Sequence, residues 1–234
     1  MRLAVLALMG VIGAAPVAAE EARFDLVLKG IKAGSLAWSG GVEGNSYAVS
    51  GVLKTSGLAA MLKKVSFSAK VSGAVSKGRF YPSSYAGTSN TGKRQSEAQM
   101  VYKSGVPQVV VNNPPREARP YDIDPAGQKG SVDTLTALYV TLRDVAPGDE
   151  CKVSLKMFDG RRASQLVTSA PRTEGDKVVC AGEYRRIAGY SPEDMAEKTR
   201  FPFTLTYAPV EGGKMRVIEV ATDTLYGKAR LTRK

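Results

Sequence analysis

The sequence predicts a mostly β protein: a single antiparallel curved sheet forming a barrel, half-barrel or β-spiral, with one main helix and one or two short helices. Three observations carry this. Apolar and polar residues alternate with a period of two from Phe24 nearly to the C-terminus, the pattern of strands with one buried and one wet face. Glycine-bearing turns separate the alternating runs. Glycines also fall inside the runs, notably Tyr47 to Lys54 and Val65 to Ser76, where they mark bulges and corners that let a meander curl and protect its edges.

The elements follow in order. Phe24, Leu26 and Leu28 alternate, and Lys29-Gly-Ile-Lys-Ala-Gly34 should reverse that strand into one carrying Leu36 and Trp38. Tyr47, Val49 and Leu53 form the next inward set. Val65, Phe67, Ala69, Val71 and Val75 are expected on one face, with Ser66, Ser68, Lys70, Ser72 and Ser76 on the other. Later runs place Val153, Leu155 and Met157 together, then Phe203, Leu205 and Tyr207. In the last run Leu225, Gly227, Ala229 and Leu231 should point inward, and Tyr226, Lys228, Arg230 and Thr232 outward. Asp159-Gly160 reads as a two-residue hairpin turn between Met157-Phe158 and Arg161-Arg162, and Glu211-Gly-Gly213 joins the penultimate pair.

Three segments interrupt the alternation. Ser56 to Lys64 spaces Leu58, Met61 and Leu62 as a short helix would. Ser131 to Arg143 is the main helix: Leu135, Leu138, Tyr139 and Leu142 make an i, i+3, i+4, i+7 stripe, and Ser131 or Asp133 can cap it. That stripe must bury against something apolar, and the barrel opening is the natural place. Ser191-Pro-Glu-Asp194 has the cap, the first-position proline and the acidic first turn of another short helix. The proline-rich stretch Asn112 to Pro120, with Tyr121 to Pro125 after it, is excluded from a central strand and reads as a loop leading to the main helix.

Residues 1–19 have the layout of a secretory signal peptide: Arg2, an apolar run from Leu3 to Val17, and small residues before an acidic pair. The run is too short to serve as a permanent bilayer span. Cleavage before Glu20 would leave residues 20–234 as a single β-barrel-like domain with no lipid-anchoring cysteine and no transmembrane anchor, so a soluble exported product is expected. The formal net charge of +11 falls to +10 on loss of Arg2. For an exported chain that charge points to lipid headgroups or other envelope polyanions, or to solubility alone, and not to nucleic acid.

The chain contains no histidine. Histidine-based triads and the usual zinc and non-haem iron ligand sets are thereby removed, and no cofactor or metal is implied by any motif. A non-catalytic protein is expected, a histidine-free hydrolase being the remaining enzymatic reading. Cys151 and Cys180 belong to no C-x-x-C motif. An even count in an oxidising compartment predicts a disulfide, two separate buried thiols or a reactive thiol being the alternatives.

Phe24-Asp-Leu-Val-Leu-Lys-Gly-Ile-Lys-Ala-Gly34, Asp124-Pro125, Asp133-Thr-Leu-Thr-Ala-Leu-Tyr139, Phe158-Asp-Gly160 and Tyr207 resemble the exported bacterial family known as domain of unknown function 3108. The resemblance implies a periplasmic β-rich protein of Gram-negative bacteria, similar in architecture to curved-sheet envelope proteins such as lipoprotein carriers and β-spiral envelope-integrity proteins. It implies no catalytic residue. A lipid, an anionic envelope component or a partner envelope protein are the expected partners, with docking on a solid scaffold as the alternative to ligand binding.

Candidate sites follow from placement. Trp38, Tyr47, Phe67, Leu138 and Leu142 are expected on the concave side, lining either a hydrophobic cavity or an ordinary packed core. Arg161, Arg162, Arg185, Arg186, Lys228 and Arg230 would form an anion-binding patch if their strands are neighbours, and a bridge between Cys151 and Cys180 would bring the first four together. Asp122, Asp124 and Asp133 lack the glycine and terminal glutamate of a calcium loop and read as turn and cap residues.

Overall fold

A computed structural model describes residues 19–57, 60, 64–115, 117–224 and 227–234. Residues 1–18 of the expected signal segment, Leu58, Met61 and Leu62 of the expected short helix, and Leu225 and Tyr226 of the last run lie outside the described residues. Thirteen strands make one antiparallel sheet: β1 (Glu20–Leu28), β2 (Ile31–Glu43), β3 (Ser46–Thr55), β4 (Ser66–Ser76), β5 (Arg79–Asn90), β6 (Gln95–Lys103), β7 (Val106–Asn113), β8 (Ser154–Phe158), β9 (Ala163–Glu174), β10 (Lys177–Ala188), β11 (Arg200–Val210), β12 (Lys214–Thr224) and β13 (Gly227–Arg233). Among the described residues these strands are accompanied by α1 (Thr134–Leu142) and α2 (Pro192–Glu197), with a 3-10 turn at Pro125–Gln128.

The strand order is β7-β6-β5-β4-β3-β2-β1-β13-β12-β11-β10-β9-β8. Two meanders are therefore zipped at the middle by β1 and β13, where Phe24 pairs with Arg233 and Leu28 with Ala229. Among the described residues no ladder joins β7 to β8, so the sheet is curved and open. Val132 lies along the outer edge of β8, exchanging backbone hydrogen bonds with Lys156 and Phe158 at 2.9 Å each, and thus covers one of the two edges a sheet must protect.

Local chemistry explains the turns. Lys29-Gly30, Lys77-Gly78 and Ser104-Gly105 all hold positive φ at both residues, which matches the right-handed twist of a tight hairpin. The Asp159-Gly160 expectation needs correction: β8 and β9 are joined by four residues, not two. Asp159 Oδ1 accepts from the amides of Arg161 (2.9 Å) and Arg162 (2.7 Å), so the carboxylate builds a wider loop in place of the tight turn. At the Ser72/Gly73 bulge, a side chain on Gly73 would meet the Tyr81 carbonyl oxygen at 2.2 Å. Glycine there permits the close backbone approach that bends β4 against β5.

Alternation sorts the side chains as expected over most of the sheet. Phe24, Leu36, Trp38, Tyr47, Val49 and Val71 from one meander meet Cys180, Leu205, Tyr207 and Val217 from the other in a single buried core. Helix α1 fills the space between them. Leu135, Tyr139 and Leu142 are buried and Leu138 is half-buried; Thr136, Ala137 and Thr141 on the remaining sides are buried too. Each large apolar side chain placed there contributes about 2 kcal/mol of transfer free energy. Rings interlock edge to face, Trp38 with Tyr139 at 5.2 Å, Tyr47 with Phe80 at 5.0 Å and Phe80 with Tyr139 at 5.8 Å.

The start of α1 is capped by Asp133, not Ser131. Its carboxylate accepts from the Thr136 amide (2.8 Å) and the Thr136 hydroxyl (2.6 Å). That hydroxyl stands 2.7 Å from the Tyr47 hydroxyl, so Tyr47 donates to it and couples the helix cap to β3. Burial pushes the Asp133 carboxyl above its ordinary value, partly offset by the hydrogen bonds from Thr136.

Candidate functional site

The five residues expected to line a cavity do not act together. Trp38, Tyr47 and Leu142 are packed in the core under α1, and Leu138 is half-buried against it. Phe67 departs from the others at 42% exposure, since it sits near the start of β4, where the strand runs past the end of the core. Alternation reports which face a residue takes, not how far along that face the core extends.

The six basic residues are divided between faces. Arg186 shares the inner face of β10 with Cys180, Gly182 and Tyr184, whereas Arg185 points outward and makes an ion pair with Glu183. Lys228 and Arg230 alternate with the buried Ala229 and so lie on the outer face of β13. Arg161 and Arg162 occupy the β8–β9 loop, and Arg162 alone of the two joins Arg186 along a common cleft. The Cys151–Cys180 bridge is present, with Cα atoms 5.3 Å apart. Beside it β9 pairs with β10, Ser164 opposite Arg186, which carries the loop toward the Arg186 end of that strand.

That cleft occupies about 460 Å³ at one end of the inner face of the C-terminal meander. Phe201, Phe203 and Val220 form its apolar floor, and Arg162, Arg186 and Tyr190 its polar wall. The floor exists because Phe203 lies flat over Gly182, where a Cβ would stand 2.3 Å from the ring. The wall exists because of Gly189. With φ +83° and no side chain, it lets the Arg161 carbonyl approach to within 2.4 Å of where a Cβ would be, seating the loop against β10.

Tyr190 then organises both guanidinium groups. Arg162 lies 4.9 Å and Arg186 5.3 Å from its ring centroid, and its hydroxyl stands 2.7 Å from that of Tyr184. Burial and the Tyr184 contact push the Tyr190 hydroxyl well above its ordinary value. Arg186 also stacks on Phe201 at 5.1 Å and donates to the carbonyls of Asp194 and Lys198, pinning the end of α2. The Asp194 carboxylate lies 3.8 Å from Arg162 and 3.9 Å from Arg186. Among the described residues the buried Arg162 Nε has no hydrogen-bond partner.

Two other depressions carry less chemistry. A trough of about 650 Å³ crosses the outer face of β2 to β7, lined by small residues such as Ser50, Ser72, Ser84 and Ala86 with Lys70. Within it the Ser72 and Ser84 hydroxyls bond each other at 2.9 Å. A recess of about 330 Å³ beside β8 is bordered by Lys129 and Lys156. The aspartates have structural duties: Asp122 accepts from the Arg119 amide at 2.8 Å, Asp124 from the Ala126 amide at 2.8 Å, and Asp133 caps α1. Among the described residues no group of three or more His, Cys, Asp or Glu side chains is placed to hold a metal, and no helix is long and apolar enough to cross a membrane.

The cleft was only half legible in the sequence. The Arg-Arg pairs drew attention to themselves, but the organising role of Tyr190 carried no signal beyond the Gly-Tyr-Ser start of α2. A second cluster, Glu20, Asp144, Arg216 and Arg233, has no local sequence signal because its members are scattered along the chain.

No curated protein matches the chain. Among solved structures, a β-barrel-like protein of domain of unknown function DUF1849 from Brucella abortus is similar, at 12% identity over 94% of this chain and 98% of that one, with a TM-score of 0.49. Residues 23–232 match the family described as protein of unknown function (DUF3108), and the chain belongs to that family.

Proposed function

We propose that this is a non-catalytic periplasmic protein of the cell envelope that holds a lipid or another hydrophobic ligand in the inner-face cleft. The observation that carries the reading is the half-buried apolar floor of Phe201, Phe203 and Val220, which borders a cleft of about 460 Å³ on the concave face. A concave site with an apolar base and a few convergent polar groups is the usual form of a small-molecule site. The charged side chains around it are engaged in turns, stacking and ion pairs and do not form a nucleophile and base in contact.

The test is filling the cleft. Thr222 pairs with Phe203 and Ala229 and faces the cleft from β12. Calorimetric titration with dodecanol should show saturable binding to the wild-type protein and at least tenfold weaker binding to Thr222→Trp, with circular dichroism unchanged. Equal binding to both contradicts the reading, as does a wild type that takes up neither dodecanol nor dodecanoate.

A second reading, docking of another envelope protein, draws on the edge strand β7. It is paired only with β6 among the described residues and exposes Val110, an arrangement open to strand addition.

A further inference from the structure

We infer that the ligand of this cleft is an anionic amphiphile, an alkyl chain ending in a carboxylate or phosphate, with the head held between Arg162 and Arg186 and Asp194 acting as the resident counter-ion it displaces. The inference rests on the cleft reading above and adds the chemistry of the head.

Both guanidinium groups are fixed before any ligand arrives, since each is stacked on Tyr190 and Arg186 is also stacked on Phe201. Preorganised, planar, multi-donor cations are the side chains best matched to carboxylate and phosphate. The Asp194 carboxylate faces both at 3.8 and 3.9 Å, beyond hydrogen-bonding distance, so its hold on them is coulombic and replaceable. Arg162 Nε has no hydrogen-bond partner among the described residues, and the side chain that carries it is 35% exposed.

The charges around the wall are Arg162, Arg186 and Lys198 against Asp159 and Asp194. Asp159 is committed to the amides of Arg161 and Arg162, and Lys198 Nζ lies 5.0 Å from the centroid of the Phe201 ring. The balance favours one added negative charge. The apolar floor begins at Arg186, which lies over Phe201, and runs on to Phe203 along the inner face of β11. Head and chain sites are thus contiguous, which a free inorganic anion would not need.

Calorimetric titration below the micellar range, using dodecyl phosphate, dodecanoate, dodecanol and inorganic phosphate, tests the assignment. The two anionic amphiphiles should bind at least tenfold more tightly than dodecanol, and inorganic phosphate should bind far more weakly than dodecyl phosphate. Asp194→Asn, which keeps the backbone contacts of α2, should tighten dodecyl phosphate by about fivefold, the scale of one unit charge at 4 Å in water, and leave dodecanol unchanged. Arg162→Gln should weaken both anionic amphiphiles and spare dodecanol. Equal affinity for dodecanol and dodecanoate overturns the head assignment while leaving the hydrophobic cleft standing. Phosphate binding as tightly as dodecyl phosphate overturns the amphiphile in favour of a free anion. Failure of all four probes overturns the cleft reading itself.

Discussion

Replacing Asp144 with alanine is expected to destabilise the protein by about 3–5 kcal/mol, the range for removing one partner from a buried ionic cluster. Asp144 accepts from Arg216 Nε at 3.0 Å and from its Nη2 at 2.6 Å, and lies 3.6 Å from Arg233. Its backbone amide donates to Glu20 at 3.0 Å, and Glu20 lies 3.6 Å from Arg233. The Asp144 and Arg233 side chains are each only 6% exposed. Arg233 further stacks on Phe24 at 5.6 Å and Trp38 at 5.9 Å, so the cluster ties the first strand, the last strand, β12 and the end of α1 to the core. Among the described residues, the buried Arg233 guanidinium without Asp144 keeps only Glu20 as counter-charge.

Acid should remove the difference. Burial pushes the Asp144 carboxyl up, but the hydrogen bonds and charge of Arg216, with the charge of Arg233, outweigh it and leave Asp144 below its ordinary value of 3.8. A carboxyl lowered by folding contributes stability that is fully present above its unfolded value and is lost as pH falls through its folded value. Glu20 moves the other way, raised by burial above 4.5, so its ionisation costs stability as pH rises through that raised value. Urea unfolding of wild type and Asp144→Ala should therefore show a constant gap near neutrality that narrows below about pH 4. A gap below about 1 kcal/mol, the scale of an exposed pair, or one that persists in acid, would refute the cluster's role.

The second large effect concerns the disulfide. Cys151 and Cys180 are separated by 29 positions, and closing such a loop restricts the unfolded chain by about 3–4 kcal/mol on the entropy model. Both cysteines belong to the core, and Cys180 is fully buried opposite Leu205. Cys151→Ala with Cys180→Ala should lower the melting temperature by on the order of 10 °C. The double variant should still fold, because the β9–β10 and β10–β11 ladders run on either side of the bridge without depending on it. A melting temperature unchanged by the substitution, or by reduction of the wild type, would show that the bridge does not constrain the chain.

How much of this was readable from the residues depends on range. The Ser191 cap with its Pro192 start and the buried stripe of α1 are local signals that appear where the spacing put them, whereas the reversal expected over Lys29 to Gly34 is confined to Lys29-Gly30, Ile31 to Gly34 already belonging to β2. The single curved antiparallel sheet followed from alternation and interior glycines, which left closed barrel, half-barrel and spiral as alternatives; the strand order decides for an unclosed sheet. Phe67 shows the limit, since parity assigns a face but cannot say where the core ends. The basic residues show it again: adjacent arginines such as Arg185 and Arg186 must point to opposite faces, so only register tells which one reaches the cleft. The Glu20–Asp144–Arg216–Arg233 cluster depends on β1 pairing with β13, a contact between chain ends that no local pattern encodes.

The most direct test of the central claim is an amide chemical-shift map of the protein titrated with dodecanoate below its micellar range. Saturable shifts are expected at Arg162, Arg186, Tyr190 and the strand pair carrying Phe201, Phe203 and Thr222, with α2 among the affected elements. Shifts confined to the outer trough of β2 to β7, or no shift at all, would contradict the claim.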